Sequence, residues 1–196
     1  MSNLPPLLGD QYYHIYNRGN NGETLFREQR NYPYFLRLYA RYIEPVAETF
    51  AYCLLNNHFH FLVRIKDWQS FKDCQSYPPS RAFANLFSTY TKAFNKAYQR
   101  TGSLFEKPFK RKIVDDDRYF TCLVAYIHRN PVKHGFVDDY RDWPYSSYQA
   151  VLSTKPTRVQ RATVLDWFGG RPGFEAAHAL EVEEGIIEAL IAEDWM

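Results

Sequence analysis

The segment Thr49–Ile65, TFAYCLLNNHFHFLVRI, decides the fold of this 196-residue chain. Two apolar runs flank the pair Asn56–Asn57, and asparagine tolerates the positive backbone angles of a tight turn. The segment therefore predicts a β-hairpin, with one strand over Thr49–Leu55 and a second over His58–Ile65. Such a hairpin fixes two neighbouring strands of a sheet before any other element is placed.

The second strand of this hairpin begins with a His-x-His pair. Side chains two apart on a strand share one face, so His58 and His60 point the same way. Imidazole is a common ligand of divalent cations, but two ligands are an incomplete set. The alternative is that one histidine bonds to the backbone while the other is solvated at a strand end. The prediction of a metal site therefore depends on further ligands elsewhere in the chain.

A second motif, YIHRNP at Tyr126–Pro131, stands at the end of a helical pattern. Residues four apart on a helix lie about one turn apart on one face, so the Tyr126 phenol and the Asn130 amide approach a common point. We expect Pro131 to end the helix. Taken separately, the tyrosine indicates a boundary of the core and the asparagine a helix cap. Taken with the two histidines, they predict a site. The buried stripe of the helix lies beside them, at Phe120, Leu123, Val124 and Ile127.

Other periodic segments indicate an alternating α+β order. Tyr90 lies on the apolar stripe of one predicted helix, with no oxygen ligand one turn on, and is predicted to be a core residue. If the predicted site uses a tyrosine as its reactive group, Tyr126 is therefore the preferred one among the 16 tyrosines. The predicted elements are a strand over Tyr12–Arg18, a helix over Pro33–Glu44, a long helix from Phe83 to Tyr98 and a strand over Phe109–Val114.

The composition is that of a globular protein, with 45% hydrophobic and 18% aromatic residues. No apolar run is long enough to cross a bilayer, and Met1–Asp10 lacks the pattern of a secretory signal, so we expect a cytoplasmic protein. The three cysteines form no CxxC pair, which argues against a disulfide framework or a thiolate zinc site. We expect them to be buried or without a role; they are Cys53, Cys74 and Cys122.

Charge is distributed unevenly along the chain. Residues 1–174 contain all 24 Lys and Arg but 15 of the 22 acids, a net charge of +9, whereas residues 175–196 contain the other seven acids. A basic body suits a polyanion such as DNA. Two aromatic residues, Phe105 and Phe109, alternate with the cations, which suits stacking on single-stranded bases, or else they belong to the core. The candidate DNA-binding cations are Lys107, Lys110, Arg111, Lys112, Arg129 and Lys133.

With these motifs in view, the chain resembles the HUH-type single-tyrosine (Y1) transposases, in particular the REP-associated tyrosine transposase branch related to the IS200/IS605 enzymes. The resemblance implies a ferredoxin-like α+β fold, an antiparallel sheet with helices mainly on one face. We expect a catalytic and DNA-binding domain over 1–150 and a helical, acidic extension over 151–196. The matching stretches are Tyr13–Asn21 (YHIYNRGNN), Asn56–Val63 (NNHFHFLV), Gly102–Arg111 (GSLFEKPFKR), Tyr126–Val137 (YIHRNPVKHGFV) and Trp143–Tyr148 (WPYSSY).

The resemblance also implies a reaction, a metal and a substrate. Tyr126 would attack single-stranded DNA near a hairpin, leaving a 5′-phosphotyrosine and a free 3′-OH, and a second DNA end would rejoin the strand. Mg²⁺ or Mn²⁺ would be held by three neutral ligands, His58, His60 and Asn130, although the third ligand in such enzymes is often the longer Glu or Gln. Two residues of the first matching stretch, Asn17 and Arg18, would contact DNA.

Two other functions fit the same residues. A domesticated DNA hairpin-binding protein would use the basic surface without cleaving. A metallonuclease would use the histidines with water as nucleophile and leave no protein–DNA adduct. The pattern does not choose between a monomer and a homodimer, and it leaves open whether the acidic extension lies against the basic surface.

Overall fold

The computed structural model of the chain describes residues 4–67, 78–115 and 117–180, so the expectations for Cys74 and for residues 181–196 lie outside the described residues. Four strands and six helices follow one another along these ranges. They are β1 (Tyr12–Arg18), α1 (Asn31–Tyr42), β2 (Ala47–Leu54), β3 (His58–Ile65), α2 (Pro79–Ala97), β4 (Lys110–Val114), α3 (Asp117–Lys133), α4 (Tyr148–Leu152), α5 (Arg161–Trp167) and α6 (Arg171–Ala179).

The strands form an antiparallel sheet in the order β2-β3-β1-β4, in agreement with the ferredoxin-like fold that the resemblance implied. The predicted hairpin is confirmed as the β2–β3 pair. Directly opposed residues point to the same face of a sheet, and the register places Tyr16 of β1 opposite both His60 of β3 and Lys110 of β4. One face of the sheet therefore presents side chains from three strands side by side.

The opposite face is apolar and is covered by α1 and α2. It presents the odd-numbered side chains of β1 and β3, among them Ile15, Phe59 and Phe61, all buried. Tyr90 of α2 belongs to this core, as predicted: it is 1% exposed, and its hydroxyl donates to the carbonyl of Leu25 at 2.6 Å. A tyrosine whose hydroxyl is used internally is not available as a nucleophile.

The face that carries the histidines is covered by α3 and by the helices after it. Leu123, Val124 and Ile127 of α3 pack in one buried cluster with Leu62 of β3 and Cys53 of β2. The predicted α+β antiparallel class is confirmed, but helices lie on both faces rather than mainly on one. The physical reason is that this face is itself partly apolar, so it gains by being covered.

The segment after residue 150 adds to this second layer. Val151, Val164 and Phe174 are fully buried in the same cluster as Leu123, and Val159 bridges to Thr49 of β2. The predicted boundary at residue 150 stays a prediction. No helix in the described ranges has the length and apolar character needed to span a membrane.

The prediction that Pro131 ends its helix is wrong, because α3 continues to Lys133. Proline lacks the N–H that would bond to the carbonyl four residues earlier, which removes one bond of the helical ladder. The next turn is nevertheless closed, since the amide of His134 donates to the carbonyl of Asn130 at 3.0 Å. The helix therefore carries Asn130 inside its last turns instead of at a cap.

Candidate active site

The four predicted catalytic and metal-ligating side chains meet between β3 and α3. The His60 ring lies 5.3 Å from the His58 ring and 5.7 Å from the Tyr126 ring, which it meets edge-on. Asn130 lies one helical turn after Tyr126, and its amide donates to the Tyr126 carbonyl at 2.9 Å. The sequence spacing of each pair was informative because each pair lies within one element. Their convergence required α3 to dock on this face of the sheet.

His60 is held from behind by a third histidine. His14 of β1 is fully buried on the same face, and a hydrogen bond of 3.0 Å joins its Nε2 to Nδ1 of His60. The two rings are stacked at 5.1 Å. When His60 donates from Nδ1, its Nε2 lone pair faces away from His14 and remains for a cation, which is the usual arrangement of an imidazole metal ligand.

His58 is oriented in the same way by a neighbour in the turn. Its Nδ1 donates to Oδ1 of Asn57 at 2.8 Å, which leaves the Nε2 lone pair on the other side of the ring. The exposed His134, just beyond α3, places its ring 4.7 Å from that of His58. When His60 donates to His14, both histidines of the pair present the same ring nitrogen.

Asn130 has a buried side-chain oxygen without a hydrogen-bond donor among the described residues. Its side chain is fully buried, and Oδ1 accepts no hydrogen bond from the described part of the chain. The side chain is still close enough to His58 to favour the protonated form of that ring. A buried amide oxygen without a donor is costly, and a cation beside the two histidines would satisfy it.

The electrostatics of the site favour neutral histidines. Burial, and then the proximity of His134, lowers the pKa of His58 to about 3. Burial also holds the pKa of His60 well below its usual value, with His14 adding to the effect. Neutral imidazoles can bind a cation at neutral pH without first losing a proton. The donor set therefore fits a divalent cation held by two imidazoles and an amide oxygen.

No cluster of three His, Cys, Asp or Glu side chains with the geometry of a metal site occurs in residues 4–67, 78–115 and 117–180. Asn130 Oδ1, which accepts no hydrogen bond in the described part of the chain, is the oxygen that the prediction assigns as the third ligand. With three neutral ligands, the full charge of a bound cation would remain available to an anionic substrate.

Lysines from two elements border the site. Lys133 of α3 places its Nζ 5.4 Å from the centre of the Tyr126 ring. On β4, Lys112 lies opposite His14 and Lys110 opposite Tyr16, so both point to the histidine-bearing face. Of the predicted DNA-binding cations, Lys133 thus lies beside the candidate nucleophile, and Lys110 and Lys112 lie on the same face of the sheet as the histidines.

The other predicted DNA-binding residues are placed differently. Asn17 is buried and donates to the Glu106 carbonyl at 3.1 Å, while Arg18 forms an ion pair with the Glu106 carboxylate. Arg129 donates to the carbonyls of His178 and Leu180, both at 2.8 Å.

The remaining cations near β4 point elsewhere. Arg111 donates to the Pro5 carbonyl, and its guanidinium lies 5.1 Å from the centre of the Phe109 ring. Lys107 is exposed in the loop before β4. Phe105 is 4% exposed and belongs to the core, as one of its two interpretations required.

Sequence reasoning missed His14 as a support for His60, and His134 as a neighbour of His58. His14 shares a face with Tyr16 by simple alternation, but only the β1–β3 register shows that this face is the one with the histidine pair. His134 follows the helix end by one residue, and its position depends on α3 continuing through Pro131.

Comparison with known proteins gives two relevant matches, although no family model matches the chain. The fold is similar to that of a REP-associated tyrosine transposase solved in complex with a REP hairpin, with a TM-score of 0.59 and 19% identity over 80% of this chain and 89% of that one. In sequence, a REP-associated tyrosine transposase of Haemophilus influenzae is 31% identical over 129 residues, which are 64% of this chain and 68% of the relative. This degree of identity and coverage shows that the chain belongs to the family of REP-associated tyrosine transposases.

Proposed function

We propose that this transposase-family protein is a metal-dependent single-stranded DNA transesterase that cleaves and rejoins DNA at hairpin-associated sites. The observation that carries the proposal is the edge-on contact of the Tyr126 ring with His60, one helical turn from the unsatisfied Asn130 oxygen. The similarity in fold to a protein bound to a REP hairpin supports hairpin DNA as the substrate. The site offers a nucleophile and metal ligands within one small volume.

The side chains around Tyr126 address the weakness of a phenol as nucleophile. Free tyrosine has a pKa near ~10 and is mostly protonated at neutral pH. The Lys133 Nζ lies 5.4 Å from the centre of the ring, so a cation borders the proposed nucleophile. When bound by the two histidines and Asn130, Mg²⁺ or Mn²⁺ would polarise the scissile phosphate as a Lewis acid.

In the proposed reaction, Tyr126 Oη forms a bond to phosphorus as the phenol loses its proton. The bond from phosphorus to the 3′ oxygen breaks, and the departing oxygen gains a proton as a free 3′-OH. The product is a 5′-phosphotyrosine ester that conserves the phosphodiester energy. A 3′-OH from a second DNA end can then attack the ester, which rejoins a strand and releases Tyr126 without ATP.

A denaturing gel tests this proposal. Wild type and Tyr126→Phe are mixed with labelled single-stranded hairpins carrying flanking sequence, in the presence of Mn²⁺. We expect a protein–DNA adduct in wild type that is absent in Tyr126→Phe and after addition of EDTA. Mass spectrometry of the digested adduct should locate the nucleotide on the peptide that contains Tyr126.

The same gel separates the competing functions. Tyr90→Phe is the matched control, because the Tyr90 hydroxyl is already used inside the core, and it should still form the adduct. Cleavage without an adduct would identify water as the nucleophile and overturn the tyrosine mechanism. Hairpin binding with neither cleavage nor adduct would indicate a domesticated binding protein.

A further inference from the structure

A buried chain of hydrogen bonds lies on the side of α3 away from the candidate nucleophile. His128 follows Tyr126 by two residues, about 200° around the helix. Its Nε2 lies 2.6 Å from Ser147 Oγ, and its Nδ1 lies 2.8 Å from Nε2 of His178 on α6. His178 Nδ1 lies in turn 2.7 Å from the Phe174 carbonyl. None of these side chains was expected to interact from the sequence.

The carbonyl at one end fixes the direction of every proton in the chain. A carbonyl can only accept, so Nδ1 of His178 must donate to Phe174, and Nε2 of a neutral His178 is then an acceptor. His128 must therefore donate from Nδ1 to His178, and its own Nε2 accepts from the hydroxyl of Ser147. The assignment makes both imidazoles Nδ1–H tautomers.

The hydrogen bonds of Ser147, at the other end of this chain of hydrogen bonds, agree with the assigned donors and acceptors. Ser147 Oγ accepts a hydrogen bond from the Tyr52 amide at 2.8 Å. Its hydroxyl proton can go to Nε2 of His128 at 2.6 Å or to the Tyr52 carbonyl at 3.3 Å. The shorter contact is in the normal range for a hydroxyl donor and the longer one is outside it. Each donor and acceptor in the chain is then used.

Both imidazoles are neutral in this environment, as the assignment requires. Both rings are fully buried, which disfavours a charged imidazolium. Burial lowers the pKa of His178 to about 4, although its bond to the Phe174 carbonyl opposes the shift. A proton added to Nε2 of His178 would face the Nδ1–H of His128 and find no acceptor there.

The chain connects three elements around α3. Tyr52 belongs to β2, beside the histidine-bearing strand, and its carbonyl also accepts from the Ser147 amide at 2.9 Å. At the other end, Arg129 of α3 donates to the carbonyls of His178 and Leu180 and closes a second link to the end of α6. The rotation and height of α3 over the sheet are thus set by directional bonds as well as by apolar contacts.

We assign no chemistry to these residues themselves, because Ser147 Oγ is held between the Tyr52 backbone and His128. The order of contacts, from Ser147 to His128 to His178, resembles that of a catalytic nucleophile, a base and an orienting group. All three side chains are 0% exposed. A substrate cannot reach Ser147 Oγ, which is also bonded to the backbone of β2. The contribution of the chain to catalysis must act through the position of α3.

We propose that His128, Ser147 and His178 are positioning residues for the nucleophile, holding α3 so that Tyr126 and Asn130 stay aligned with the strand histidines. The effect on catalysis rests on the proposed transesterase function, whereas the tautomers and the position of α3 do not. Small displacements of reacting groups are expensive, and about 1 Å can cost about 100-fold in rate. Through this chain of hydrogen bonds, α6 would influence the candidate active site without contacting it.

Position 178 gives the sharpest test, because it lies on another helix, 50 residues from its partner His128. His178→Phe suits the surrounding aromatic side chains but leaves the His128 donor without an acceptor. His178→Gln restores an acceptor oxygen near the former Nε2. Val164→Ala is the matched control, a core truncation in the same apolar cluster that leaves the chain intact.

Three measurements are compared across these variants: thermal stability, hairpin affinity and the single-turnover rate of adduct formation. We expect His178→Phe to lower the rate by about 10- to 100-fold with little change in affinity, and His178→Gln to recover most of it. Val164→Ala should lose stability without a comparable loss of rate. Equal rates in His178→Phe and wild type, or rate losses that only follow stability in all variants, would overturn the proposal.

Two measurements do not depend on activity. In ¹⁵N-histidine-labelled protein, both His128 and His178 should show Nδ1–H tautomers, and an Nε2–H tautomer at either would overturn the assignment. The ring signals of Tyr126, identified by their loss in Tyr126→Phe, should shift in His178→Phe and return in His178→Gln. If wild type forms no adduct, the proposed function fails, while unchanged Tyr126 signals in His178→Phe would refute the positioning role separately.

Discussion

Burying a polar oxygen without a hydrogen bond costs about 1–3 kcal/mol, and Asn130 Oδ1 bears such a cost. A bound ion or ligand that contacts such an oxygen would remove this cost. Here the oxygen lies beside two imidazoles whose Nδ1 atoms are committed to Asn57 and His14. The arrangement is the one that the proposed metal site requires, with each histidine oriented by a hydrogen bond at its Nδ1.

A single supporting residue, His14, is predicted to control metal affinity without binding the metal itself. His14→Phe removes the hydrogen-bond partner behind His60, so the ring loses its fixed orientation. We expect the Mn²⁺ concentration for half-maximal adduct formation to rise about 10- to 100-fold, as for other supports of metal ligands. His14→Gln keeps a hydrogen-bonding group near the position of Nε2 and should lie closer to wild type. An unchanged Mn²⁺ requirement in His14→Phe, read also by EPR titration without DNA, would contradict this role.

Among the elements, those with a strong local pattern were predicted well. Alternation located β1 at Tyr12–Arg18 and β3 at His58–Ile65 with their observed bounds, because each strand buries residues by a local rule. Pairing is not local, so the sequence did not reveal that His14 lies behind His60. The partner of His128 was equally hidden, because α6 is 50 residues away. The end of α3 was misplaced because one missing N–H does not outweigh the bonds of the following turn.

The orientation of β4 leads to a prediction about DNA. Lys110 and Lys112 point to the face of the site, whereas Arg111 between them points to the other. Replacing Lys110 or Lys112 by Gln should weaken hairpin binding and reduce the slope of log affinity against log salt by about 1 each, if each contacts one phosphate. The measurement is a salt titration of binding by fluorescence anisotropy.

Arg171→Gln is the control for this salt dependence. Arg171 is an exposed cation of α6 that pairs with Glu175 at 3.0 Å, so its loss should leave the slope unchanged. If the β4 variants and Arg171→Gln lower the slope equally, the effect is one of net charge, and the phosphate contacts at β4 are absent.

For the molecule as a whole, buried neutral histidines couple folding to pH. His58, His60, His128 and His178 all have a pKa lowered by burial. In the unfolded chain these rings bind protons near the ordinary value of 6.5, while the folded chain resists them. Lowering the pH therefore favours the unfolded state. The loss of stability should begin below 6.5 and, for His178, level off below about 4.

Urea unfolding at a series of pH values, in EDTA, checks this dependence. The free energy of unfolding should fall steadily between pH 6.5 and about 4 in wild type. The fall should be shallower in His178→Phe, because that variant has one proton site fewer to fill on unfolding. A steeper or identical slope in the variant would show that His178 is not neutral in the folded protein.

The site also depends on contacts between distant parts of the sequence. Its histidines lie on β1 and β3, while its tyrosine lies on α3, which must pack on the sheet to reach them. A chain still emerging from the ribosome, or one partly unfolded by stress, holds the same reactive groups far apart. For an enzyme of the proposed kind, a chain that fails to fold therefore lacks the assembled site and cannot cleave the DNA of its own cell.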